Sequence, residues 1–223
     1  MSVREEHCSP AGPALTIGPG LSIGYGSVLA ESTDAIALGK GVHYLLARNG
    51  RGKTTLLKTL VGLINPINGN YSISGETQFI GDELSFDREL SSRLVFKSLI
   101  PVNRQEEAFS LADKLELDVS KSYGALSFGN RKKVGLVVGE FNIDPDLASV
   151  VLFDEPFTGL DTLARECFIS HWAETSDKAA RLVSCHPDFD EMEMPSAVMI
   201  SEGRIFKGGD GRQTWGEFKS LLN

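Results

Sequence analysis

Apolar residues in this chain change their spacing several times, and the changes mark out its elements. Short apolar runs at residues 15–17, 21–25 and 42–46 are punctuated by Gly18, Gly20, Gly26 and Gly41 and read as strands. From residue 54 to 63 the period becomes helical, with Leu56, Leu57, Leu60, Val61 and Leu63 on one face. Turns at Asn65-Pro66 and Asn68-Gly69 follow. Residues 71–73 and 77–80 read as two further strands. Leu94, Val95 and Leu99 then predict a helix stopped by Pro101, and Ala108, Leu111, Ala112 and Leu115 predict another. The runs at 150–153 and 182–185 are too short for helices and suit strands buried on both faces of a parallel sheet. Between them Ala164, Phe168 and Trp172 lie one turn apart, as on a helix covering that sheet. This strand–helix–strand alternation predicts α/β architecture. No repeat or linker interrupts it, so the 223 residues form one unit.

Composition narrows the function classes. The chain is 41% apolar and 23% charged, ordinary for a globular protein. Its net charge of −8 argues against a nucleic-acid partner, because Arg131-Lys132-Lys133 is the only dense basic cluster. No apolar run approaches the roughly 18 residues of a membrane span. The first residues lack the apolar core of a secretory signal. Any membrane connection is therefore expected to come through a partner. Cys8, Cys167 and Cys185 have neither framework nor metal-ligand spacing and read as reduced thiols.

Two short segments carry candidate chemistry. Ala47-Arg48-Asn49-Gly50-Arg51-Gly52-Lys53-Thr54-Thr55 follows a predicted buried strand and opens a predicted helix, the setting of a phosphate-binding loop. Gly50 and Gly52 let consecutive N–H groups turn toward phosphate oxygens, and the helix N-terminus adds partial positive charge. Lys53 would reach the β- and γ-phosphates, and the Thr54 hydroxyl would ligate Mg²⁺. Ala47 stands where such loops usually begin with Gly. The run at 150–153 ends in Asp154-Glu155. Asp154 would hold Mg²⁺ through its water shell, and Glu155 would orient and polarise the attacking water.

Between these segments, Leu126-Ser127-Phe128-Gly129-Asn130-Arg131-Lys132-Lys133 resembles the signature motif of the ATP-binding-cassette (ABC) family, Leu-Ser-Gly-Gly-Gln followed by basic residues. Ser127 and Gly129 match the positions that touch phosphate, whereas Phe128 and Asn130 depart from the motif. Pro156-Phe157-Thr158-Gly159-Leu160-Asp161 looks like the family's D-loop, His186 like its switch histidine, and Tyr25 like the aromatic residue that stacks on adenine. Residues 197–200 and 203–205 resemble the closing strand pair of the ATPase core. In that family a Gln at the end of the strand placed here at 79–80 ligates Mg²⁺. Here Asp82 and Glu83 are the candidates, Glu83 being favoured by position, and Gln78 lies at the wrong end.

The resemblance spans about residues 14 to 208 and implies an ATP hydrolase. Its RecA-like P-loop core would occupy about residues 1–83 and 121–223, with a small antiparallel β subdomain and a helical subdomain near 84–120. It implies ATP and Mg²⁺ as ligands. Two cassettes, identical or different, would form a head-to-tail homo- or heterodimer sandwiching two nucleotides. Lys53, Thr54, Asp154, Glu155 and His186 would face one ATP, while Ser127 and Gly129 would serve the partner's. A separate transmembrane permease subunit, docked near Phe86 and Leu90 on the membrane's cytoplasmic face, would be the second partner. A soluble ABC ATPase and a weakly active regulatory module are the alternatives. Intact Glu155 and His186 argue against the latter.

Overall fold

The computed structural model describes residues 13–143, 149–185, 192–208 and 213–222. In chain order the strands and helices are β1 (Leu15–Ile17), β2 (Ser22–Gly24), β3 (Val28–Ser32), β4 (Ile36–Leu38), β5 (Gly41–Ala47), α1 (Lys53–Leu60), β6 (Tyr71–Ile73) and β7 (Glu76–Ile80). There follow α2 (Ser92–Leu99), α3 (Gln105–Lys114), α4 (Phe128–Phe141), β8 (Ser149–Asp154), α5 (Thr162–Glu174) and β9 (Ala180–Ser184). The chain closes with β10 (Glu193–Met194), β11 (Ala197–Ser201), β12 (Arg204–Lys207), β13 (Gln213–Thr214) and α6 (Trp215–Lys219).

Eight strands form one mixed sheet in the order β2-β3-β12-β11-β5-β9-β8-β7. Its centre, from β11 through β7, is parallel. β12 returns antiparallel to β11, and β2 runs antiparallel to β3. A separate antiparallel sheet has the order β4-β1-β6. This is the RecA-like α/β core with a small β portion that the sequence predicts.

Strand alternation explains why the central runs read as wholly apolar. On β8, Val150 and Leu152 point to one face and pack with Leu56, Leu57 and Leu60 of α1. Val151 and Phe153 point to the other, where Phe168 and Trp172 of α5 cover them. Both faces are buried, so no polar position interrupts the strand. The helices of the 84–120 region join the second of these clusters through Val95, Phe96, Ala108 and Leu111.

Some expectations for this region need correction. Of the three residues that mark α2, Leu94 and Leu99 are 47% and 40% exposed, while Val95 fills the core together with Phe96. Phe86 is half-buried, its ring edge-on to Tyr123 at 5.3 Å, so it is not a free docking side chain; Leu90 does face solvent.

A buried polar network fastens α4 to β9. The Glu140 carboxylate accepts from Trp172 Nε1 (3.1 Å), from Arg181 Nε (3.0 Å) and Nη2, and lies 3.3 Å from His171 Nε2. Arg181 also donates to the Thr175 carbonyl at 3.0 Å and to the Thr175 hydroxyl at 2.9 Å. Glu140 and Arg181 are both buried, and their remaining hydrogen-bond capacity is satisfied within this cluster.

Candidate active site

The loop after β5 turns sharply, with Gly50 at φ +75° and Gly52 at φ +106°. A Cβ at Gly52 would sit 3.0 Å from Leu29 Cδ2 in a backbone region that side chains rarely adopt. Gly52 caps α1 without a side-chain hydrogen bond, and the first turn of α1 holds no acidic residue. By contrast, α2, α4, α5 and α6 each have a side chain accepting from their first turn. The N–H groups and positive dipole end of α1 are thus available to an external anion.

The strand end opposite supplies the carboxylates. Asp154 accepts from the Thr54 hydroxyl at 2.7 Å on Oδ2 and from the Ser184 hydroxyl at 2.7 Å on Oδ1. Ser184 also accepts from the Glu155 N–H at 2.9 Å. Glu155 leaves the strand with φ +47°, a left-handed conformation that costs a residue with a Cβ about 1–2 kcal/mol. This turn resolves the strict alternation of a strand: it lets adjacent Asp154 and Glu155 both address the loop. The Glu155 Oε1 lies 3.5 Å from Lys53 Nζ, and Oε2 accepts from the Thr158 hydroxyl at 3.4 Å. The Lys53 ammonium, 6% exposed, also donates to the Ala47 carbonyl (3.3 Å) and to Asn49 Oδ1 (3.4 Å). A cleft of about 340 Å³ opens beside this cluster, lined by Asn49, Glu155, Thr158, Arg165 and Cys185 among others. Burial pushes the Cys185 thiol up to about 12, so it is not a thiolate nucleophile.

The predicted residues are therefore only partly gathered. Asn49, Gly50, Arg51, Gly52, Lys53, Thr54, Thr55, Asp154 and Glu155 converge at the loop and the strand end facing it. Tyr25, in the turn after β2, is 70% exposed and offers a free ring face. Ser127 caps α4 by accepting from the Asn130 N–H at 3.2 Å. Gly129 packs so tightly on the Pro156–Asp161 turn that a Cβ there would lie 2.7 Å from the Gly159 carbonyl oxygen. Neither residue hydrogen-bonds the phosphate loop of its own chain, although both remain near the molecular surface. His186 lies outside the described residues.

Two of the predicted residues have partners of their own in this chain. Glu83 is paired with Lys58 at 3.0 Å, its side chain 83% exposed, and it makes no hydrogen bond to Thr54 or Asp154. That pairing raises the Lys58 pKa, the Glu83 hydrogen bond being the largest cause. Asp161 accepts from the Ala164 N–H at 2.8 Å and from Lys133 at 3.0 Å, and so caps α5 at the end of the Pro156–Asp161 turn. Its carboxyl is held below the ordinary value, first by the Ala164 N–H and then by Lys133. Gln78 donates to the Asn142 carbonyl at 3.0 Å, a structural contact away from the site.

Ser184 was not foreseen. Its clue is local: a hydroxyl residue at the end of a buried strand beside the acidic one.

No group of three or more His, Cys, Asp or Glu able to hold a metal occurs among the described residues. The Thr54 hydroxyl and the Asp154 carboxylate supply hard oxygens from two elements 100 residues apart. Mg²⁺ is commonly held by one or two such groups while substrate phosphates and water complete its shell. The donor set therefore fits that ion.

The family model described as "ABC transporter" matches residues 37–158 of this chain. A protein named as an ABC transporter ATP-binding protein in Caldanaerobacter subterraneus subsp. tengcongensis is 30% identical, over 80% of this chain and 84% of its own length. The Nod factor export ATP-binding protein I of Burkholderia orbicola is 34% identical, over 83% of this chain and 67% of its own. A solved structure described as the ATP-binding subunit of an ABC transporter superposes with a TM-score of 0.72 at 22% identity, covering 93% of this chain and 92% of that one.

Proposed function

The chain belongs to the ABC transporter family and is an ATP-hydrolysing subunit of that kind, and from that premise we propose how its residues divide the work. The backbone of Asn49–Thr55 and the ammonium of Lys53 bind the ATP phosphates, and Tyr25 stacks on adenine. Glu155 orients water for attack on the γ-phosphorus. The new O–P bond forms as the bond to the ADP oxygen breaks, and the water proton moves toward the Glu155 carboxylate. Thr54 and Asp154 hold Mg²⁺, which when bound neutralises charge developing on the phosphates. His186 follows β9 in the chain and is assigned to the γ-phosphate by sequence position alone. The observation that carries this reading is the hydrogen bond of Thr54 to Asp154, which joins the open N-terminus of α1 to the acidic strand end.

The partner of this chain is a second cassette, its Ser127 and Gly129 closing on the other's ATP, and a separate membrane permease. Exposed Leu90, Leu94, Leu99 and Val102 around α2 supply apolar surface for the permease. No helix among the described residues is long and apolar enough to cross a membrane. We place the chain at the cytoplasmic face through that partner.

Light scattering on Glu155→Gln, with and without Mg²⁺-ATP, tests the scheme. Hydrolysis should stop and ATP should convert monomer to stable dimer. A variant that binds ATP and remains monomeric would remove the self-paired site. One that hydrolyses ATP at the native rate would remove Glu155 from its role.

A further inference from the structure

The Lys132 side chain, 10% exposed, runs from the second turn of α4 to the end of β8. There its ammonium donates to the Glu155 backbone carbonyl at 2.6 Å and to Asp82 Oδ1 at 2.8 Å. Its third neighbour is the Phe128 ring, whose centroid is 6.0 Å away. The N–H of Glu155 is already tied to Ser184 at 2.9 Å. The peptide groups on both sides of the Glu155 side chain are thus pinned, one by a hydroxyl from β9 and one by a cation from α4. Pinning matters here because Glu155 has φ +47°, a conformation it would relax out of without restraint.

We propose that Lys132 is a positioning residue for hydrolysis: it holds the Glu155 backbone in the left-handed turn that presents the carboxylate to the attacking water. The inference rests on the assignment of Glu155 above. A single carbonyl would leave a nearly buried ammonium without a counter-charge. The additional carboxylate of Asp82 fixes it in place, and the bond to Glu155 is charge-assisted and therefore among the stronger contacts at the strand end. Lys132 also sits on the helix whose start carries Ser127 and Gly129, so the segment addressing a neighbouring cassette and the water-orienting residue of this one share a single rigid element.

The test compares the native chain with Lys132→Met, Lys132→Arg and Asp82→Ala, alongside Glu155→Gln. The readouts are steady-state ATP turnover, equilibrium binding of a fluorescent ATP analogue, and thermal melting. Lys132→Met should lower kcat roughly 10-fold or more, as small displacements of a positioned group do, with nucleotide affinity unchanged. Lys132→Arg should restore turnover to within about threefold of native, because guanidinium also reaches a carbonyl. Asp82 is an exposed residue whose loss does not threaten folding. If Lys132→Met fails to fold, Asp82→Ala reports instead, and kcat should fall by about threefold at constant affinity. Native kcat in Lys132→Met or, where that variant does not fold, in Asp82→Ala overturns the proposal, as does a joint fall of kcat and affinity that Arg does not rescue. Native turnover in Glu155→Gln would instead overturn the assignment beneath it.

Discussion

Neutralising Glu140 should destabilise the protein far more than its place at the end of a helix suggests. Burial alone pushes this carboxyl up, but hydrogen bonds from His171 and Arg181 and the Arg181 charge outweigh it and hold it at about 2, against an ordinary 4.5. That difference corresponds to about 3 kcal/mol of stability at neutral pH. The sign follows from the folded value lying below the unfolded one. The contribution is fully present above about pH 4.5 and is lost as pH falls toward about 2. Glu140→Gln removes the charge and leaves the buried Arg181 guanidinium without its counter-ion, which costs about 3–5 kcal/mol. For a chain of this size each kcal/mol lowers Tm by about 2–4 °C, so a fall of roughly 6–20 °C is expected. The assay is thermal unfolding by circular dichroism at neutral pH and again below pH 4.5, where the gap to the native protein should narrow. Glu140→Gln/Arg181→Met, with the stranded cation removed, should melt above the single variant. A single variant within about 2 °C of native, or a double variant below the single, would refute the reasoning.

Ser184→Ala removes the hydroxyl that binds both Asp154 and the Glu155 N–H. Turnover should fall roughly 10-fold with little change in nucleotide affinity, measured by phosphate release and analogue binding. Tyr25→Ala removes an exposed ring and should weaken ATP binding by about 1–3 kcal/mol, visible as a raised KM with kcat nearly intact. Gly129→Ala puts a Cβ 2.7 Å from the Gly159 carbonyl oxygen, which is backbone and must move. In a Glu155→Gln background it should reduce ATP-dependent dimerisation by light scattering while leaving monomer nucleotide binding unchanged.

What was legible in the sequence was local in character. β8 could be read because burial on both faces leaves four apolar residues in a row, and β9 because its buried Leu182 and Val183 are followed by the small Ser184 and Cys185. The glycine-rich loop before α1 and the Asp154-Glu155 pair could be singled out because each is a run of adjacent residues. β3 and β4 escaped notice because their outward positions are exposed and only alternate residues are buried. α6 is set by Thr214 and Glu217, a reciprocal cap in a short segment whose apolar period is too brief to register. The outward orientation of Leu94 and Leu99 depends on which face of α2 meets α3 and α4, which spacing within α2 does not determine. The site partners Ser184 and Lys132 lie 29 and 23 residues from Glu155, and only the sheet order and the crossing of α4 bring them there.

The same anchors explain how departures in the signature motif are compatible with an intact site in this chain. α4 is held near its start by Lys132 on Glu155 and Asp82, and by Lys133 on Asp161 and the Leu115 carbonyl. It is held near its end by Glu140 on Arg181 of β9, the strand whose terminal Ser184 grips Asp154 and Glu155. Asn130 donates no side-chain bond to these attachments, and Phe128 touches them only through its ring, whose centroid lies 6.0 Å from the Lys132 ammonium. Phe128 is 57% exposed and lies over Gly159, and Asn130 contributes to the cap only the backbone N–H that it donates to Ser127, which any residue but proline supplies. The hydrogen bonds that hold Asp154 and Glu155 are thus made without a polar group from either side chain, and the substitutions alter the surface this chain presents outward. Their consequence belongs to the pairing of two cassettes, where an aromatic side chain replaces a glycine at the approaching face.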